Sequence, residues 1–233
     1  MDWHDLGNPY LRSAAEKYRP LEWPAGVSIR LATAELGDGG GLADVVATRR
    51  SSREFGPLSL EAIGPLLSLT CGVHRIGHSQ LGFPISQRTV PSAGAIHPIH
   101  IVVNLAGSPK WHRYAPFEHE LIAIPTKVSA GTVRAAMNEV LPGDSAALLL
   151  FVAEPSMTAA KYADPASLVW RDAGVLQGYL TLAAESLRLN CSLLGVTGEP
   201  WCSSLVEQGG LHGVGAAYVG GRGMSPPPLS GAK

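Results

Sequence analysis

Ala146 to Ala153, AALLLFVA, is an uninterrupted apolar run with no charged or turn-forming residue inside it. A run of that length fits a central β-strand covered on both faces, because a strand with one wet face alternates apolar and polar positions. Such a strand needs covering layers on both sides of its sheet. One is predicted soon after it: Val169, Ala173, Leu176, Leu180, Ala183, Ala184 and Leu187 keep a helical stripe for about five turns.

Other elements are read from shorter signals. Leu42, Val45, Val46 and Arg49 are spaced for a short amphipathic helix after Gly39-Gly40-Gly41. A second helix is expected with Ser59 as its cap, Leu60, Ile63, Leu67 and Cys71 on one face, and Gly72 just past its end. Gly64-Pro65 conflicts with that helix, which either starts nearer Ile63 or is kinked. Val73 to Gln87 reads as a loop. Ile99, Ile101, Val103 and Leu105 alternate with His100, Val102 and Asn104, the pattern of a half-buried strand. A hairpin is predicted from Trp111–Tyr114 and Glu120–Ile124 around Ala115-Pro116, then a helix over Ser129 to Val140. Cys191 to Gly198 leaves the long helix, a short helix covers Trp201 to Gln208, and Val214 to Val219 form a last strand. No internal repeat or dividing linker is present. The chain is divided into an N-terminal arm (1–41), a main domain (42–222) and a Pro/Gly-rich tail (223–233).

The 18 basic and 19 acidic residues nearly cancel, and no run of Lys or Arg extends beyond the Arg49-Arg50 pair, so no nucleic-acid footprint is expected. Cys71, Cys191 and Cys202 are an odd number without metal-type spacing, as in a reduced compartment. No basic region followed by an apolar stretch opens the chain, and no run is long enough to span a bilayer, so a cytoplasmic location is expected.

Three segments carry candidate chemistry. RRSSREF sets Arg49, Arg50 and Arg53 beside Ser51 and Ser52. Guanidinium forks match phosphate oxygens bidentately, although a basic helix end is stabilised by the macrodipole without any ligand. In RTVPSAGAIHP, Pro91, Ser92, Ala93 and Gly94 form a small-residue turn that leaves room for a close neighbour; it also reads as ordinary loop punctuation. Lys161 and Tyr162 pair a cation with a phenol, which fits acid–base work or an exposed amphipathic surface. His97 and His100 are badly placed for a shared metal. No GxGxxG after a strand, P-loop, GxSxG or HExxH is found.

Taken together, LADVVATRRSSREFGPLSLEAIGPLLSLTCGV, RTVPSAGAIHPIHIVVNL, WHRYAPFEHELIAI, KYADPASLVWRDAGVLQGYLTLAAESLRL, LLGV and the closing AYVGG resemble the nitroreductase-like flavoproteins. The resemblance is closest to the SagB-type dehydrogenases, azoline oxidases that mature thiazole- and oxazole-containing peptides. It covers residues 42 to 222. It implies an α+β fold, a mostly antiparallel central sheet flanked by helices, and an intertwined homodimer binding FMN at its interface.

By that resemblance, Arg49, Arg50, Ser51 and Arg53 hold the phosphate and ribityl chain. Pro91, Ser92, Ala93 and Gly94 border the isoalloxazine ring, with Ser92 hydrogen-bonding it. Backbone amides of Leu194, Gly195 and Val196 meet the flavin edge, Arg222 is a further phosphate cation, and Lys161 and Tyr162 are catalytic. The family's Gln-Asn pair in the long helix is here Gln177-Gly178, and its acidic start is Asp172. The implied reaction is oxidation of a peptide azoline or related natural-product intermediate by hydride transfer to the flavin, with a biosynthetic partner protein. An NAD(P)H-dependent nitro- or quinone-reductase and a flavin-free scaffold are the alternatives.

Overall fold

The computed structural model describes residues 5–34 and 41–222. In chain order the elements are β1 (Tyr10–Leu11), β2 (Ser28–Arg30), α1 (Leu42–Thr48), α2 (Leu60–Cys71), β3 (Val73–Gly77) and β4 (Ile85–Arg88). They continue with β5 (Ile99–Asn104), β6 (Trp111–Ala115), β7 (Glu120–Ile124), α3 (Ala130–Val140), β8 (Ala147–Ala153) and α4 (Pro155–Ala159). The last are β9 (Tyr162–Ala163), α5 (Ala166–Ser186), β10 (Leu189–Leu194) and β11 (His212–Gly221).

A seven-stranded sheet in the order β10-β11-β8-β5-β6-β7-β2 organises the chain, and every pairing within it is antiparallel. Every residue of β8 is buried. Ala147, Leu149, Phe151 and Ala153 face one apolar cluster with Ile63 and Leu67 of α2 and Leu176 and Leu180 of α5. Leu148, Leu150 and Val152 face a second with Val133 and Met137 of α3 and Leu205. The period-two alternation of a strand thus splits one apolar run between two cores. The α+β architecture expected from the resemblance is present.

Helix α2 starts at Leu60 as its cap predicts: the Ser59 hydroxyl accepts the Ala62 N–H at 3.3 Å. Pro65 lies inside it. Gly64 has a packing reason, since a Cβ there would overlap the Ala32 carbonyl of the N-terminal stretch. That stretch, expected as a surface arm, is threaded into the fold. It adds β2 to the sheet edge through Ser28↔Ile122 and Arg30↔Glu120, and β1 pairs with β9.

Three expectations need correction. Val73 to Gln87 is not a plain loop: β3 and β4 form a hairpin, hidden in the sequence because VHRIG buries no side chain fully. Strand β5 is not half-exposed, because its polar members are satisfied inside. His100 is bonded to Glu154, and Asn104 donates to the Ser108 and Lys110 carbonyls at 2.8 and 2.9 Å. Cys191 has left the long helix, as expected. It lies in β10, which pairs with β11 from Leu189↔Gly221 to Leu194↔Ala216. The helix over Trp201 to Gln208 shrinks to a 3-10 turn at Cys202–Ser204.

Candidate flavin site

The turn before β5 is strained and heavily tied. Gly94, Ala95 and His97 have φ of 65°, 58° and 55°, the left-handed region that costs a non-glycine residue roughly 1–2 kcal/mol. Asp172 on α5 offsets that cost. It accepts the Ser92 hydroxyl at 2.6 Å and the Ala93 N–H at 3.1 Å. The Ser92 oxygen in turn accepts the His97 N–H at 2.9 Å, and His97 Nε2 bonds the Ser86 carbonyl at 2.8 Å. The one proton of Ser92 is committed to Asp172, so toward a ring the hydroxyl offers an acceptor. Burial raises the Asp172 pKa above the usual carboxylate range, against the opposing pull of these hydrogen bonds.

Lys161 and Tyr162 close on the same turn. A Cβ on Gly94 would stand 3.0 Å from Lys161 Nζ and 3.1 Å from Tyr162 Oη, so the glycine leaves the space in which both polar heads meet the backbone. The lysine ammonium also lies 5.7 Å from the centre of the Tyr162 ring. Rather than a free loop, the pair is clamped from outside. Leu11 pairs with Tyr162, the Arg12 N–H donates to the Lys161 carbonyl at 3.0 Å, and Arg12 Nε donates to the Ala159 carbonyl at 2.7 Å.

The arginine segment runs along the outer side of β10. Ser51 bridges Cys191, the Ser52 N–H donates to the Cys191 carbonyl at 3.1 Å, and Asn190 Nδ2 donates to the Glu54 carbonyl at 2.8 Å. Gly56 and Gly221 exchange hydrogen bonds of 2.8 and 3.0 Å. Glu185 gathers the surrounding groups, because its Oε1 accepts the Thr48 hydroxyl at 2.9 Å and Arg222 Nη2 at 3.0 Å. Arg222 therefore lies beside the end of α1 where Arg49 begins the cluster. Among the described residues, Arg49, Arg50 and Arg53 form no ion pair.

Leu194 ends β10, and the N–H groups of Gly195 and Val196 donate to no acceptor among the described residues. A Cβ on Gly195 would meet nothing within 4 Å. Close by, Gln177 Nε2 donates to the Val214 carbonyl at 3.1 Å. A cleft of about 790 Å³ opens between Val169–Trp170 and the Thr197–Glu199 turn, and none of the predicted site residues lines it.

The predicted residues thus fall into two groups along α5. Ser92, Ala93, Gly94, Lys161 and Tyr162 gather near Asp172. Arg49, Arg50, Ser51, Arg53 and Arg222 gather toward Glu185, about 20 Å away along the axis at roughly 1.5 Å per residue. Leu194 to Val196 stand at and just past the end of β10. Asp172 was visible in the sequence as an acidic position of the long helix; Glu185 was missed, and an acid next to the last residue of a helix carries no signal of what it will touch.

The family model for the "Nitroreductase family" matches residues 46–205. The chain is a member of the nitroreductase family. Similar proteins include three that carry the name "putative nitroreductase". That of Methanocaldococcus jannaschii is 29% identical over 162 residues, covering 66% of this chain and 78% of its own. A crystal structure from Ralstonia eutropha matches with a TM-score of 0.66 and 22% identity, over 91% of this chain and all of that one. One from Desulfovibrio desulfuricans, in complex with FMN, matches with a TM-score of 0.51 and 17% identity, over 81% of this chain and 93% of its own. A chain of the Escherichia coli microcin synthetase McbBCD complex with truncated pro-MccB17 bound matches with a TM-score of 0.52 and 13% identity, over 75% and 71% of the two chains. These likenesses establish the family fold. The family makes the chain an oxidoreductase. The three cysteines are free and buried, and burial pushes each thiol up to about 12, which removes them as nucleophiles. Among the described residues no cluster suits a metal ion, and no helix is long and apolar enough to cross a membrane.

Proposed function

We propose that the chain is an FMN-dependent dehydrogenase of the SagB type, oxidising a peptide azoline or a related natural-product intermediate. The observation that carries this reading is the convergence of Lys161 and Tyr162 on the side of Gly94 where a Cβ would stand. It supports an acid–base role for the pair beside a turn whose small residues would admit a flat ring. The donor set fits FMN: Arg49, Arg50 and Arg53, with Ser51 and Arg222 beside them, would hold the phosphate end. Pro91, Ser92, Ala93 and Gly94 would border the ring, and the free amides of Gly195 and Val196, after Leu194, would face its edge. Because the two groups are held at opposite reaches of α5, we assign them to two copies of the chain, one flavin lying between the arginines of one and the turn of the other.

Bound FMN supplies a two-electron acceptor, and azoline oxidation also requires loss of a proton from carbon. Tyr162 takes that proton, and Lys161, 5.7 Å from its ring centre, stabilises the charge on the phenol oxygen. Asp172 holds the turn in its left-handed geometry, so the ring face and the base keep one separation. The clamp from Leu11 and Arg12 fixes the base from behind.

Replacing Lys161 by Ala and Tyr162 by Phe together should abolish oxidation of an azoline peptide while the purified protein keeps its flavin absorbance. Normal turnover in that double variant removes the pair from the mechanism. A second reading, an NAD(P)H-dependent nitro- or quinone-reductase, is favoured by the names of the relatives. Rapid anaerobic bleaching by NADPH alone supports it, and slow bleaching by NADPH with fast bleaching by an azoline peptide supports the dehydrogenase. A colourless protein that takes up no FMN would leave the scaffold reading.

A further inference from the structure

The central sheet splits. Strands β5 and β6 pair at Val103↔His112 and Val102↔Arg113, and the ladder stops there, although both strands continue. Between the separated lips, Ile99 to Ile101 on one side and Arg113 to Ala115 on the other, lies a chamber of about 300 Å³. That volume is at the lower end of small-ligand pockets, roughly 300–1,000 Å³. Trp23 of the N-terminal stretch roofs it, and His97 separates it from the Ser92–Gly94 turn.

The chamber holds two guanidinium groups and two carboxylates, Glu118 and Glu154. Arg88 and Arg113 line it, and neither forms an ion pair among the described residues. Arg88 spends its Nε on the Ser86 hydroxyl at 2.8 Å, leaving its terminal N–H groups unspent; the Arg113 guanidinium donates to no acceptor among those residues. Burial lowers the basicity of His100, Glu154 opposes that effect, and Arg113 and Arg88 add to it. The interior carboxylate, Glu154, is already occupied: it accepts the Tyr18 hydroxyl at 2.9 Å, the Leu21 N–H at 2.7 Å and His100 Nε2 at 2.8 Å. Glu118 stands exposed at the rim. What the chamber has in excess is donors: the terminal N–H groups of Arg88 and the whole Arg113 guanidinium line it without an acceptor among the described residues.

Two further features specify the ligand. Trp23 Nε1 is buried without an acceptor, an orphaned donor on the same wall. The remaining lining is aromatic and aliphatic, with Arg88 held 5.3 Å from the centre of the Phe117 ring and Arg113 5.6 Å from that of Trp23. A guanidinium fork matches a planar two-oxygen anion, and both forks here have N–H groups to spare.

We propose that this chamber binds the carboxylate of a small aryl-bearing organic acid, held between Arg88 and Arg113 with Trp23 as a further donor. The site uses none of the residues assigned to the flavin. Titration calorimetry of the full chain with phenylacetate, its neutral isostere phenylacetamide and inorganic phosphate tests it. Phenylacetate should bind about ten-fold or more tightly than the amide and more tightly than phosphate. Arg88→Gln and Arg113→Gln should each weaken phenylacetate by about ten-fold or more with an unchanged far-UV spectrum, and Trp23→Phe, which keeps a ring and loses the N–H, by several-fold. Should an arginine variant not fold, the acid-against-amide ratio of the unaltered chain still decides. Equal binding of acid and amide, tighter binding of phosphate, no binding of the acid at millimolar concentration, or full affinity in folded arginine variants overturns the proposal. Flavin absorbance of the same samples reports separately on the cofactor reading.

Discussion

Gly94 carries two constraints at once, a left-handed φ of 65° and the proximity of Lys161 and Tyr162. Gly94→Ala should cost about 1 kcal/mol of stability through backbone strain alone. The larger consequence should fall on activity, since the methyl group takes the space of the two polar heads. We expect turnover to drop at least several-fold while the urea midpoint moves little, and a variant with normal turnover would detach the turn from the reaction. His97 gives a pH signature. Burial, aided by Arg88, lowers its pKa from 6.5 to about 4. Between those values the unfolded chain takes up a proton that the folded chain refuses, so stability is lost as pH falls through that window and is constant above it. The full effect is on the order of 3 kcal/mol at about 1.4 kcal/mol per pH unit. Urea midpoints at pH 7 and pH 4.5 should therefore separate more for the native chain than for His97→Gln. Equal separation would show that the imidazole is not the titrating group.

Among the elements, those with long periodic signals were legible. AALLLFVA became β8 because its residues fill both cores, and the α5 stripe matched its buried face at Val169, Ala173, Leu176 and Leu180. What stayed hidden depended on tertiary partners. Strand β10 follows the long helix with no glycine stop, the reversal being made by Arg188 at φ 56°. The β3–β4 hairpin has no apolar alternation to betray it. At the candidate site the residue types were readable as three segments, but not their grouping, because Asp172 and Glu185 act by where α5 carries them. Gly64-Pro65 shows how a local conflict is resolved by packing. Gly64→Ala gains about 1 kcal/mol in helix propensity. Its methyl group, however, would overlap the Ala32 carbonyl and lie 3.0 Å from the Ala32 nitrogen. Overpacking against backbone costs roughly 1–3 kcal/mol, so a net loss of about 1 kcal/mol is expected. A stabilised variant in a urea melt would mean that the N-terminal stretch does not lie across α2.

At the scale of the whole molecule, the apolar surface is unevenly distributed. No residue of α1 is buried; Leu42 and Val46 are 72% and 57% exposed. The outward face of α5 shows Trp170, Val175 and Tyr179, with Gly174 and Gly178 between them, where an added Cβ would meet nothing. Helices α1 and α5 are joined through Thr48 and Glu185, and the arginines follow α1 directly. A twofold contact through these faces would cover their apolar side chains and set the arginine segment of one copy toward the turn of the other, as the proposed two-copy flavin site requires. Val175→Glu places a charge at the centre of that face while touching no residue assigned to FMN. The native chain should sediment as a dimer with flavin bound. The variant should sediment as a monomer with several-fold less flavin and an unchanged far-UV spectrum. A native monomer holding a full complement of FMN would put the whole site within one chain and overturn the division along α5, whereas loss of dimer and flavin together would tie cofactor binding to the pairing of two α5 helices.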